Sequence, residues 1–331
     1  FKLPSAWKSS LALDIDTVWG MTASAEFTHI QAKNAIAYLL PNIGKPNGKL
    51  PDGRDSYWTV FPTAAVDRDG NPLIGTGANN GSYRELNTRS SLLTNTDKGS
   101  SNSLTLSLTK PASHGFGGTF SITGTHTTEV NPGSSSQAYS NYNFVARTTP
   151  NELLEAPSRF DVPLSVKLAL NWDHAFFGDN RTTISAYYNG RTGAPYSWVF
   201  GGDVNGDAVA TDVDLAYIPF ANDPLVTYKA GTTAQQIADF QALIQGDRYL
   251  RSHRGQIASR NAMHQPWINQ LDMGFQQELP GFADGHKFVV RMDVYNFLNF
   301  LNKDWGDQRS VGFFGSRRLA NVSDVVNGQY V

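Results

Sequence analysis

The 331 residues carry 27 Lys and Arg against 29 Asp and Glu, a formal net charge of -2, so the chain offers no basic footprint for nucleic acid. Cysteine is absent, which removes disulfide frameworks and thiolate metal sites. At 40% hydrophobic and 12% aromatic, with 30 Gly and 16 Pro, the composition is that of a β-rich protein, and no window approaches the roughly 18 consecutive apolar residues of a membrane-spanning helix.

The opening decapeptide, FKLPSAWKSS, lacks the basic region and apolar core of a signal peptide. Behind it Trp7, Leu11, Leu13 and Ile15 alternate with Lys8, Ser10, Ala12 and Asp14. Then Trp19, Met21, Ala23, Ala25 and Phe27 alternate with Thr22, Ser24, Glu26 and Thr28. A period of two belongs to a strand with one greasy and one wet face, so these runs predict a hairpin turning across DIDT. A second hairpin starts in SLTLSLTK, where Leu104, Leu106 and Leu108 oppose Thr105, Ser107 and Thr109. It turns through PASHGF into GGTFSITGTH, where Phe120 and Ile122 oppose Ser121 and Thr123. In the third, Val162, Leu164, Val166, Leu168, Leu170 and Trp172 alternate with Ser165, Lys167, Ala169, Asn171 and Asp173, and HAFFGDN turns the chain into RTTISAYYNGR.

Two segments before the last hairpin carry signals of their own. DVNGDAVATDVD places Asp203, Asn205, Asp207 and Asp214 at positions 1, 3, 5 and 12 of a calcium loop, with the Val209 carbonyl at position 7. The spacing resembles dockerin-type loops, with Ala208 where the sharp turn usually has glycine; the alternative is an acidic, solvated loop. Calcium is therefore the one cofactor the chain suggests, without requiring it. In TTAQQIADFQALIQG, Thr232 or Thr233 can cap a helix whose Ile237, Phe240, Leu243 and Ile244 form one apolar stripe. Such a helix packs on neighbouring loops or on a rim, or serves as a lid over a ligand.

Finally Trp267, Leu271, Met273 and Phe275 alternate with Ile268, Gln270, Asp272 and Gln276, and LPGFADG leads into KFVVRMDVYNFL. There Phe288, Val290, Met292 and Val294 oppose Lys287, Arg291 and Asp293, which completes eight strands in four hairpins. Turns within hairpins are short, while the connections between hairpins, about 31–100, 129–159 and 199–264, are long. In a soluble sandwich the apolar faces would cover a second sheet. In an outer-membrane barrel they meet lipid, the polar faces line a wet lumen, and loop length is partitioned in just this way. Trp7, Trp19, Phe176, Phe177, Trp198, Trp267, Phe297, Phe300 and Trp305 fall near strand ends, where barrels carry aromatic girdles, although rings favour such places in any β protein. The polar parity carries charge at mid-strand: Asp14, Glu26, Lys167, Asp272, Arg291 and Asp293.

The stretches GDNRTTISAYYNGRTGAPYSWVFGGDVNGD, DLAYIPFAND, HQPWINQLDMGFQQELPGF and VVRMDVYNFLNFLNKDWG resemble the barrel end of TonB-dependent outer-membrane transporters, in particular the Oar-like subgroup. The likeness runs back through NTDKGSSNSLTLSLTKP and NPGSSSQAYSNYNF and covers most of the chain. It implies part of a 22-stranded barrel closed by an N-terminal plug, with uptake energised by the inner-membrane TonB complex. Neither a plug nor a TonB-contacting box is recognisable, and the last residues, DVVNGQYV, are not an amphipathic strand with a terminal aromatic.

The resulting expectation is an all-β, antiparallel transmembrane β-barrel segment spanning residues 1–331, in the bacterial outer membrane, with long extracellular loops. Leu104, Leu106, Leu108, Val166, Leu168, Leu170, Val290, Met292 and Val294 are expected to face lipid. Lys167, Asp272, Arg291 and Asp293 are expected to face the lumen or a plug. The expected partners are outer-membrane lipid, the remaining strands and plug of the same transporter, in this chain or a separate one, and the TonB complex through that plug. The seven histidines are scattered and neither HExxH nor GxSxG occurs, so no enzyme is expected. Two rival readings stay open: a soluble, secreted β-rich calcium-dependent binding or carbohydrate-active protein, and an outer-membrane adhesin or enzyme.

Overall fold

The computed structural model describes residues 1–43, 45–58, 91–207, 212–283, 285–312 and 315–331. The alternating runs form eight antiparallel strands: β1 (Ala6–Asp16), β2 (Thr22–Ala32), β3 (Ser100–Ser113), β4 (Phe116–Glu129), β5 (Leu164–Phe177), β6 (Asn180–Arg191), β7 (Ile268–Pro280) and β8 (Lys287–Val294). They lie side by side in chain order as one meander, with the two-residue strand Ala156–Pro157 added on β4. The path ends at β1 and β8, which are not hydrogen-bonded to one another.

Register turns the one-strand pattern into two continuous faces, because directly opposed residues in an antiparallel pair share a face. Leu13 stands opposite Ala25, Ala25 opposite Leu106, Leu106 opposite Ile122, and Ile122 opposite Val166. Farther along, Leu168 meets Tyr188, Tyr188 meets Leu271, Ala186 meets Met273, and Phe275 meets Met292. The other face is hydroxyl-rich: Thr105 bonds Thr123 across the pair at 3.0 Å, and Ser101 bonds Thr127 at 2.8 Å.

The short turns all lie at one end. That of β3 and β4 is His114-Gly115, both with positive φ (53° and 80°), so PASHGF is mostly strand. Only glycine fits at the second position, since a Cβ on Gly115 would collide with the Asp173 carbonyl oxygen. The first hairpin turns later than the sequence suggests. Trp19, expected within a strand, takes a left-handed conformation (φ 61°) in the Thr17–Met21 turn, so the alternation resumes only at Thr22.

The long connections at the opposite end fold on one another as a cap. It contains α1 (Ala138–Asn143), α2 (Ala234–Gly246) and α3 (Arg248–Ser252), while α4 (Phe297–Leu301) follows β8. At its centre is the strand Pro195–Gly201, buried at all but its last residue, which is flanked by Met263–His264 and by a parallel strand, Ser316–Asn321. The third long connection therefore starts at Thr192, before the expected Val199. The C-terminal DVVNGQYV folds into the cap as a small hairpin, Val325–Val326 against Gln329–Tyr330.

Burial separates the two parts. Among the described residues, every buried apolar side chain except Ile268 belongs to the cap and its connections; Trp198, Leu215, Ile218, Ile244 and Leu250 are fully enclosed. Among the described residues no second layer covers the greasy face of the sheet, where Leu11 is 75% exposed, Leu13 59%, Val290 53% and Met292 58%. The described residues contain no helix long and apolar enough to cross a membrane.

Candidate functional site

The nine residues expected to face lipid all lie on the uncovered apolar face. On β3 that face runs from Asn102 through Leu104, Leu106 and Leu108 to Lys110, whose Nζ turns back to bond Ser113 Oγ at the hairpin. This is about nine residues of strand, the length a tilted transmembrane strand needs.

Lys167, Asp272, Arg291 and Asp293 share the opposite face, as the register pairs Lys167 with Asn189, Tyr187 with Asp272, and Gly274 with Asp293. Arg291 Nε reaches Asp293 at 2.9 Å, an exposed pair of small energetic worth. Asp272 acts locally, its Oδ1 accepting from the backbone N–H of Asn296 at 2.8 Å and so pinning the left-handed residue that starts α4. Lys167 is exposed between Ser121 and Asn189.

The DVNGD segment forms a compact turn inside the cap. Asp203 Oδ1 accepts from the N–H groups of Gly206 (2.7 Å) and Asp207 (3.2 Å), Asn205 Oδ1 accepts from Asp207 (3.0 Å), and Asp214 Oδ2 accepts from Val204 (2.7 Å). Asn205, Asp207 and Asp214 are buried. The four side chains thus gather at one turn, where backbone N–H groups engage Asp203, Asn205 and Asp214 and the Asn205 amide donates to Asp207 Oδ2 at 3.2 Å. Val209 lies outside the described residues. Among the described residues no group of three or more His, Asp or Glu side chains is arranged to hold a metal ion. Burial pushes the Asp214 carboxyl up to about 7, reinforced by Asp207 and opposed by Arg54.

Three arginines hold the cap together, and none was evident from sequence spacing; Arg54 and Arg260 reach backbone carbonyls far along the chain, while Arg147 acts on Tyr142 nearby. Arg54 forms a buried bidentate pair with Asp52 and donates from Nη2 to the Leu215 carbonyl at 2.6 Å. Arg147 stacks over the Tyr142 ring at 3.9 Å and donates to the Tyr142 carbonyl. Arg260 donates to the carbonyls of Val130 (3.0 Å), Glu129 (2.5 Å) and Leu154 (2.9 Å), tying the second long connection to the third. Burial lowers the Arg260 guanidinium to about 10.

A cavity of about 400 Å³ opens in the cap between α2 and the C-terminal hairpin. Phe200, Tyr217 and Tyr330 form its buried floor, Phe240 and Tyr228 its walls, and Lys229 stands exposed at its edge. Tyr217 donates to Asp223 at 2.9 Å, and Asp223 also accepts from the N–H groups of Phe220 and Leu225, which fixes the turn beneath. Helix α2 is set by a capping box in which Thr233 and Gln236 bond each other's backbone N–H. Its stripe is only partly inward: Ile244 is fully buried, Ile237 and Phe240 half-buried, and Leu243 exposed. Trp198, expected at a strand rim, is instead enclosed in the cap core against Tyr196 and beneath Arg317.

No curated protein and no solved structure matches the chain. A family model described as "Outer membrane beta barrel domain" matches residues 32–312, which takes in β3 to β8 and the connections between them. With an antiparallel meander, one uncovered apolar face and short turns opposite long connections already in place, the chain belongs to the outer-membrane β-barrel domain family and is a protein of the bacterial outer membrane.

Proposed function

We propose that the chain forms part of the wall and much of the extracellular recognition surface of a TonB-dependent transporter of the Oar-like kind. The observation that carries this reading is that, among the described residues, no strand pairs with the outer edge of β1 or of β8. Lipid has no water to satisfy the unpaired N–H and C=O groups of an edge strand, and each such group costs several kcal/mol there. An eight-stranded barrel complete in itself would join β1 to β8; the two remain apart. Further strands of the same transporter, from this polypeptide or another, close the wall.

The apolar face then meets lipid, and the Ser, Thr and charged face lines the pathway, with Lys167, Asp272, Arg291 and Asp293 toward a plug. The plug couples to the TonB complex. The cap stands over the pathway and makes the first contact with cargo, and its aromatic cavity supports a recognition role. The adhesin or enzyme alternative requires closure of β1 on β8, so the two readings separate on that one pairing.

Cysteine pairs test it in the intact protein in outer membranes: Leu11, Leu13 or Ile15 on β1 combined with Val290 or Met292 on β8. A disulfide needs Cα atoms within about 7 Å. No combination is expected to cross-link. A cross-link in any of them would show a small closed barrel and remove the transporter reading.

A further inference from the structure

The apolar face changes character at its cap-side margin. His29, Asn102 and His126 stand opposite one another across β2, β3 and β4, one step above the row of Phe27, Leu104 and Gly124. On β7 the same parity continues from Phe275, Met273 and Leu271 to Asn269 and, just before the strand begins, Trp267. Beside these last two opens a pocket of about 490 Å³, with Trp305, Asp304, Asp307 and Arg309 on the other side.

The pocket is held in shape from both sides. Asn269 Oδ1 accepts from the Tyr188 hydroxyl (2.7 Å) and from Trp267 Nε1 (3.1 Å). Trp267 lies over Gly190, where an added Cβ would meet its ring at 2.8 Å, so the indole depends on a glycine across the strand pair. The turn bearing Trp305 is tied to α4 through Asn299, which donates to the carbonyls of Lys303 (2.8 Å) and Trp305 (3.3 Å).

Two indoles, one amide, two carboxylates and one guanidinium suit a hydroxyl-rich saccharide. Indole faces take the C–H faces of pyranose rings, carboxylate oxygens accept from hydroxyls, the Asn269 amide nitrogen donates to them, and a guanidinium adds paired N–H donors. Its place at the upper margin of the apolar face, where a barrel passes from acyl chains to headgroups, selects the source. We propose that this pocket holds the saccharide headgroup of an outer-leaflet glycolipid. The inference rests on the reading that the apolar face meets lipid.

The test uses intact protein extracted in mild detergent, stripped of lipid and offered either purified lipopolysaccharide or phosphatidylglycerol vesicles, with bound lipid quantified by mass spectrometry. The wild type retains lipopolysaccharide and not phosphatidylglycerol. The Trp267→Ala/Trp305→Ala double variant loses at least tenfold of that retention, Arg309→Glu loses several-fold, and Phe240→Ala in the cap cavity loses none. Should the double variant fail to fold, as judged by heat-modified gel mobility, Trp305→Ala and Arg309→Glu on the exposed turn carry the comparison. Unchanged retention in the variants, or equal retention of phosphatidylglycerol, overturns the proposal, as does equally tight binding of the lipid-free core oligosaccharide. Met273→Cys separates this failure from that of the underlying reading. Ready labelling of this cysteine in membranes by a water-soluble maleimide removes the lipid-facing assignment itself, whereas protection with unchanged retention removes only the glycolipid site.

Discussion

Replacing Leu106 by Arg places a charge at the centre of the apolar face. Leu106 stands between Ala25 and Ile122 in register, midway between Asn102 and Lys110, where the face turns polar at either end. If lipid covers that face, Arg at this depth costs roughly 2 to 4 kcal/mol, and near the interface only about 0 to 1. Leu106→Arg should therefore lower the folding equilibrium roughly 30- to 900-fold, and Asn102→Arg less than about tenfold. Ser107→Arg, next in sequence but on the wet face, should fall within about 0.5 kcal/mol of wild type. Urea titration of the intact protein refolded into phospholipid vesicles, followed by tryptophan fluorescence, measures all three. A dry core beneath a second sheet would penalise Arg by packing, without a gradient symmetric about Leu106. Equal costs at 102 and 106, or a smaller cost at 106 than at 107, would refute the lipid-facing assignment.

Arg260→Ala strips a donor from three carbonyls at the junction of two long connections, each worth about 1 to 3 kcal/mol when buried unpaired, so limited proteolysis between residues 130 and 160 should accelerate; unchanged cleavage would show that the junction holds without it. Thr233→Ala removes the α2 cap at about 1 kcal/mol, and hydrogen exchange in the first turn of that helix should quicken while the sheet stays unaffected. The Asp214 carboxyl is raised in the fold, so its stabilising contribution is fully present below the ordinary value of 3.8 and is lost as pH rises through about 7. Amides around Val204 should accordingly lose protection between pH 5 and 8, after correction for intrinsic exchange. Asp214→Asn should flatten that profile, and a flat wild-type profile would contradict it.

The sheet was legible because one greasy face and one wet face impose a strict period of two, and the eight alternating runs are the eight strands. Pairing them in register needed the structure only to show that the greasy parities form one surface. The cap was far less legible. PYSWVFG is buried on both sides and shows no alternation, so nothing in it distinguishes a strand from a loop, and Trp198 within it resembles a rim residue. Trp19 looks like part of a strand because its parity fits, whereas the turn places it in a left-handed conformation that side chains rarely reveal in sequence. The spacing of Asp203, Asn205, Asp207 and Asp214 pointed to an ion, whereas the engagement of Asp203, Asn205 and Asp214 with backbone N–H groups was not legible in it. The roles of Arg54 and Arg260 depend on contacts across long connections, and no local pattern encodes those.

The direct measurement is the number of strands in the wall of the intact protein, taken by electron cryomicroscopy of particles purified from outer membranes into lipid nanodiscs. The transporter reading predicts a barrel of about 22 strands, plugged, with further strands hydrogen-bonded to the free edges of β1 and β8. A barrel of about eight strands with β1 paired directly to β8 and an interior filled by its own side chains would contradict it.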